Sequence, residues 1–205
     1  MKWRRSMNKL FPRVVGRASK SLVSMLPTVV FVLLALFLGV ATSGWAQQSE
    51  VQISAYIKQL DASDEKKRSQ AIAALVAMGP TAVPQLIAAF KDPSVRFDAL
   101  EVLNQIKPVA IDALKQALRD PHEGVRIGAA HALGHLRAYA QSAVPDLIAA
   151  LKDNKESVRR DAANALAQVV GPGSGAVVND LVAALKDPDD VTRAFAAVAL
   201  GRIGA

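Results

Sequence analysis

The chain of 205 residues contains no cysteine. Disulfides, thiolate metal sites and cysteine nucleophiles are therefore excluded, as is a lipid-modified cysteine behind a secretory signal. The absence does not name a compartment, but it is compatible with an oxidising one. Acidic residues are missing from the first 46 positions, which carry seven basic ones (Lys2, Arg4, Arg5, Lys9, Arg13, Arg17, Lys20). That segment accounts for the whole formal net charge of +7, because residues 47–205 hold 18 basic residues against 18 acidic ones. The body lacks the charge excess of a phosphate-backbone binder, so no nucleic-acid partner is expected. There is no period-2 strand pattern, no glycine-rich phosphate loop behind a strand and no recurring Ser/His/Asp set. Gly171-Pro172-Gly173-Ser174-Gly175 reads as a turn insertion. The expectation is a protein without enzymatic activity, resident metal or cofactor.

Within the basic N-terminal segment, Val29 to Ala41 is an almost unbroken apolar run of 13 residues. A transmembrane helix needs about 20. Gly44 and Ala46 place small residues at the −3 and −1 positions of a signal-peptidase site, with cleavage after Ala46. Residues 1–46 thus read as a secretory signal peptide and 47–205 as the mature domain, periplasmic or secreted. The rival reading is an uncleaved anchor that holds the protein to the membrane through residues 28–46. Arg4-Arg5 is poorly continued for a twin-arginine signal. In either case the basic residues stay on the cytoplasmic side and the remainder is placed outside it.

The rest of the chain is organised around Asp120 to Leu136, D-P-H-E-G-V-R-I-G-A-A-H-A-L-G-H-L. An Asp-Pro turn opens it, Val125-Arg126 starts a helix, Ala129 and Ala130 are small, and Leu133 and Leu136 close an apolar stripe of helical period. Related stretches follow Asp61, Asp92, Asp153 and Asp187. Each is preceded by an aliphatic triplet at i, i+3, i+7: Ile53/Tyr56/Leu60, Val83/Leu86/Phe90, Ile111/Leu114/Leu118, Val144/Leu147/Leu151 and Val178/Leu181/Leu185. The last members of these triplets lie 30, 28, 33 and 34 residues apart. The chain is therefore predicted to be all-α, an α-solenoid of about five two-helix repeats, since self-similarity at this period marks stacked repeats. Asp-Pro pairs separate the two helices of a unit, and Gly79-Pro80, Lys107-Pro108 and Gly171-Pro172 separate one unit from the next. Ala99-Leu100 and Ala71-Ile72 replace the Ala-Ala pair in repeats two and one, where local changes of helix spacing are expected.

Two sets of positions stand out beyond the core. The recurring acid–base columns are Asp61, Asp92, Asp120, Asp153, Asp187 and Arg68, Arg96, Arg126, Arg159, Arg193, best formed in repeats two to five. A carboxylate beginning a helix can accept backbone N–H bonds, and a guanidinium can grip it with two prongs. Recurrence in every repeat favours a structural ladder over a binding strip. The second set varies from repeat to repeat on the second helices: Phe97, Glu101, Gln105; Ile127, His131, His135; Arg160, Asn164, Gln168. These positions avoid the apolar stripe and are read either as a protein-binding face or as a plain solvated surface. His131 and His135 share a helix face at i, i+4, but no third ligand is evident.

The units resemble the HEAT-like repeats of the phycobilin-lyase type over about residues 53–205. The pattern D-P-x-x-x-V-R-x-x-A-A-x-A-L-G-x-I is matched by repeats three to five with single departures: Leu136 for isoleucine, Asn154 for proline, Thr192 for valine. Repeat two matches in part and repeat one poorly. The resemblance implies the solenoid fold and, less specifically, one of two roles: a module that only binds other proteins, or a bilin lyase-like subunit acting on a chromophore-bearing protein. Export argues against the second, because chromophore attachment in that family is intracellular. The partner is expected to be a protein of unknown identity. The apolar second helix of repeat five leaves a stacking edge open, so the C-terminal repeat is expected to stack on something: a second copy in end-to-end self-association, a partner, or further repeats.

Overall fold

A computed structural model describes residues 47–204. The N-terminal segment 1–46, with its expected signal and cleavage site, lies outside the described residues. Residues 47–60 form helix α1. The helices that follow are α2 (Glu65–Met78), α3 (Val83–Ala88), α4 (Arg96–Ile106), α5 (Ile111–Ala117), α6 (Glu123–Leu136), α7 (Val144–Ala150), α8 (Glu156–Val169), α9 (Val178–Ala184) and α10 (Asp190–Ile203). Among the described residues there is no strand. Odd-numbered helices are the first of each repeat and even-numbered helices the second, so the predicted all-α solenoid of five helix pairs is what the chain forms.

Local chemistry explains these boundaries. Pro84 and Pro145 sit in the first turns of α3 and α7, where no intrahelical bond needs their missing N–H. Short 3-10 turns link the repeats at Gly79–Ala82, Lys107–Ala110, Arg137–Ala143 and Gly175–Val177. The residue entering the first of these is Gly79 at φ 56°, a conformation that suits glycine. The same position is held by Lys107 at φ 40° and Arg137 at φ 50°, where a Cβ is unfavourable.

The apolar triplets form the core between the helix layers. Leu86, Phe90, Leu114 and Leu147 are fully buried, and Ile53 and Leu60 nearly so. In repeat five the triplet is only partly covered: Leu181 is buried but Leu185 is 37% exposed, because no further repeat among the described residues packs on it. The second helices pack closely on one another, most intimately α6 on α8 and α8 on α10, while the first helices touch each other much less. The even-numbered layer is therefore the tight, inner side of the stack. Small residues make this possible. A Cβ at Gly134 would lie 3.0 Å from the Ala165 Cα, so the α6 and α8 backbones are in near contact. Packing is looser from α2 to α4 and from α4 to α6, where Ile72 and Leu100 replace the second alanine and α4 has only 11 residues.

Candidate functional site

The varying positions of the second helices form a strip along the inner layer. Phe97, Glu101 and Gln105 are exposed on α4, and Phe97 is 68% exposed. On α6, His135 is exposed while Ile127 and His131 are half-buried. Arg160, Asn164 and Gln168 are half-buried on α8. Residues one helical turn apart satisfy each other. Gln105 Nε2 donates to Glu101 Oε1 at 2.9 Å, and Gln168 Nε2 donates to Asn164 Oδ1 at 3.2 Å. The Nε2 atoms of His131 and His135 are 3.1 Å apart, one ring donating to the other. The strip is joined across repeats where Phe97 meets the His131 ring edge-on, with centroids 5.9 Å apart and planes at 84°. Burial, the neighbouring His135 and the Arg96 charge, in that order, hold the His131 imidazole below its ordinary value.

Arg160 departs from the expected role. Its Nε and Nη2 grip both oxygens of Asp189 at 3.2 and 2.8 Å, and Nη2 also reaches Glu156 Oε1 at 2.6 Å. Asp189 is the buried N-cap of α10, and its Oδ2 accepts from the Thr192 backbone N–H and from Thr192 Oγ1 at 2.8 and 2.7 Å. The Arg160 and Thr192 bonds drive the Asp189 carboxyl far below its ordinary value. Arg160 is therefore half inter-repeat tie and half surface. Asp189 belongs to neither set of positions read from the sequence, and Thr192 stands out there only as a departure from valine, although a signal for the cap is present. Threonine at 192 breaks the valine pattern three residues after an aspartate, which is the spacing of an N-cap bond.

The acid–base columns form a ladder of two rungs. Arg126 holds both oxygens of Asp153 in the next repeat at 2.8 and 3.1 Å, and Arg159 holds Asp187 at 2.7 and 3.1 Å. Each arginine also donates Nη1 to the carbonyl six residues back, Asp120 for Arg126 and Asp153 for Arg159, as Arg193 does to Asp187. No ion pair joins Arg68 to Asp92 or Arg96 to Asp120 among the described residues. Arg96 donates Nε and Nη2 to the Phe90 carbonyl instead. The turn there is two residues shorter: Arg96 follows Asp92 by four positions, whereas Arg126 follows Asp120 by six. The aspartates are not helix caps either. Asp92, Asp120, Asp153 and Asp187 each accept the N–H two residues on, at 2.8–2.9 Å. They shape the turn, and the caps proper are Asp64, His122 and Asp189.

Two surface features lie away from the strip. An open cleft of about 450 Å³ between repeats three and four is lined by Arg119, Asp120, Arg126, Asp146 and Asp153. Its arginines are already spoken for, Arg119 by Asp146 at 2.7 Å and Arg126 by Asp153. At the repeat junctions Lys107 Nζ stands 5.3 Å from the ring centre of Tyr139, which is 58% exposed.

Stacked helix pairs with a tight inner layer, tied by arginine–aspartate rungs, define an α-solenoid. The chain belongs to the HEAT-repeat family: the family model for HEAT repeats matches residues 53–134 and 111–201. Comparison with curated proteins yields no match. Among solved structures, the complex of CpcE and CpcF of phycocyanin lyase from Nostoc sp. PCC7120 is similar at 25% identity and a TM-score of 0.52, over 73% of this chain and 98% of that one. A designed armadillo repeat protein in complex with the peptide (KR)4 is similar at 19% identity and a TM-score of 0.48, over 75% and 82% of the two chains. An engineered protein is similar at 23% and 0.46, over 74% and 79%.

Proposed function

We propose that the repeat domain is an exported, non-enzymatic scaffold that docks a protein partner along the inner strip of α4, α6 and α8. The observation that carries this reading is Phe97, a large aromatic left 68% exposed beside a histidine pair on the tightly packed face. An exposed aromatic in a polar setting is the type of side chain that anchors interfaces. The polar groups along the strip are paired with one another, Glu101 with Gln105 and Asn164 with Gln168. That arrangement suits recognition better than proton transfer, since among the described residues neither histidine is bonded to a hydroxyl nucleophile. Residues 1–46 supply the export signal, and the protein is periplasmic, secreted, or held to the membrane through residues 28–46.

Photo-crosslinkers at positions 97 and 135 should capture one common partner. A crosslinker at 112 should not, because Asp112 on α5 has a side chain 90% exposed on the other layer. Equal capture from all three positions would remove the strip from the interface. Mass spectrometry of the exported form should find Gln47 at the N-terminus, and an intact Trp45 would establish the anchor.

The similarity to phycocyanin lyase subunits favours a second reading, a bilin lyase-like subunit or chaperone. Incubation with bilin and an acceptor protein separates the two. Covalent transfer dependent on this chain would replace the scaffold by the lyase.

A further inference from the structure

The histidine pair has the geometry of a chelate. Two nitrogen ligands at about 2.0–2.1 Å from a metal, subtending an angle between square and tetrahedral, stand about 2.9–3.4 Å apart. His131 and His135 hold their Nε2 atoms 3.1 Å apart, with ring centroids 4.8 Å apart and planes tilted by 55°. The i, i+4 spacing by itself offers two imidazoles on one helix face but not their rotamers. Here the rotamers already bring the two Nε2 atoms together, with Phe97 packed edge-on against the His131 ring and His135 turned toward its neighbour by the mutual bond. Little side-chain freedom is then left to lose on binding. The single proton lying between the two Nε2 atoms moves to an Nδ1 by tautomerisation, leaving both Nε2 lone pairs for an ion.

We propose that His131 and His135 form a two-imidazole site for a divalent late first-row transition ion, with both Nε2 atoms as ligands and the other coordination positions open. Among the described residues no group of three or more histidines and carboxylates is placed to hold a metal. The remaining positions therefore belong to water or to a side chain of whatever docks on the strip. Imidazole ligands suit copper, nickel and zinc, and the expected order of affinity places Cu(II) above both Ni(II) and Zn(II). The site stands on its own geometry and does not depend on the scaffold reading.

The chain has three histidines, which supplies an internal control. His122 caps α6 by accepting the Gly124 N–H on Nδ1. The test is calorimetric titration of the untagged full chain with Cu(II), Ni(II) and Zn(II) chloride, repeated on His131→Gln, His135→Gln and His122→Asn, with far-UV circular dichroism confirming that each variant is folded. One ion per chain is expected. Each of the first two substitutions should weaken binding by at least about tenfold, and the third should leave it unchanged. The proposal is overturned if the wild-type chain does not bind saturably, if either folded variant at 131 or 135 binds as well as wild type, or if binding is lost with His122. Should His131→Gln unfold the chain, the exposed His135 decides alone.

Discussion

Gly128 and Phe90 offer a test of the stacking in which two local effects oppose each other. Phe90 ends the first-helix triplet of repeat two and is fully buried. Gly128 lies mid-helix on α6 in the next repeat, directly over the ring. A Cβ there would stand 2.4 Å from Phe90 Cγ and Cδ2 and 2.8 Å from its Cβ. Considered as a helix position alone, Gly128→Ala stabilises by about 1 kcal/mol. Overpacking a buried contact typically costs about 1–3 kcal/mol, and here the overlap involves the root of the ring, which has no room to swing away. The net effect expected is destabilisation of up to about 2 kcal/mol. Phe90→Leu alone leaves a small cavity and destabilises by about 1–2 kcal/mol. Leucine is what repeats three and four carry at this position, as Leu118 and Leu151. The double variant should therefore be more stable than the sum of the singles by at least about 1 kcal/mol, because the new methyl fills the space the ring vacated. Urea denaturation of the four chains, followed by far-UV circular dichroism, measures the cycle. A stabilising Gly128→Ala, or additivity between the two sites, would show that Phe90 does not seat against α6.

Arg126→Ala removes a half-buried rung and two carbonyl contacts, whereas Arg193→Ala removes carbonyl contacts without a rung. The first should destabilise by about 1–3 kcal/mol more than the second in chemical denaturation, and equal losses would deny the rung a stabilising role. The Asp189 carboxyl is held far below its ordinary value of 3.8 by Arg160 and Thr192. A depressed folded-state value contributes stability that is complete above pH 3.8 and is lost as the pH falls below it. Thermal melts between pH 7 and pH 2.5 should show a shallower acid loss for Asp189→Asn than for wild type, and superimposable profiles would contradict the network. Lys107→Gly and Arg137→Gly should each stabilise by about 0.5–1 kcal/mol in the same denaturation assay, since both sites hold positive φ. Alanine at either site should bring no such gain, and equal effects of glycine and alanine would mean that backbone strain is not at issue there.

What was legible in the sequence is what depends on local periodicity. Helical spacing, Asp-Pro and Gly-Pro turns and a period near 30 residues are properties of short stretches, and they sufficed to count five helix pairs and to place Leu133, Leu147 and Phe90 in the core. The acid–base columns were equally visible. Which of them pair was not, because whether a guanidinium reaches a carboxylate one repeat away as well as a carbonyl in its own turn depends on how the repeats stack. For the same reason Arg160 read as part of an open face until the stack brought Asp189, 29 residues later, beneath it. The histidines could be placed on one side of α6 from their spacing, but the meeting of their Nε2 atoms depends on rotamers, and one of the rings packs against Phe97 in the neighbouring repeat. A solenoid divides information in this way. Each unit's shape is written within its own 30 or so residues, while the chemistry of its surface is made between units, by side chains whose partners lie a full repeat away and are chosen only when the helices pack.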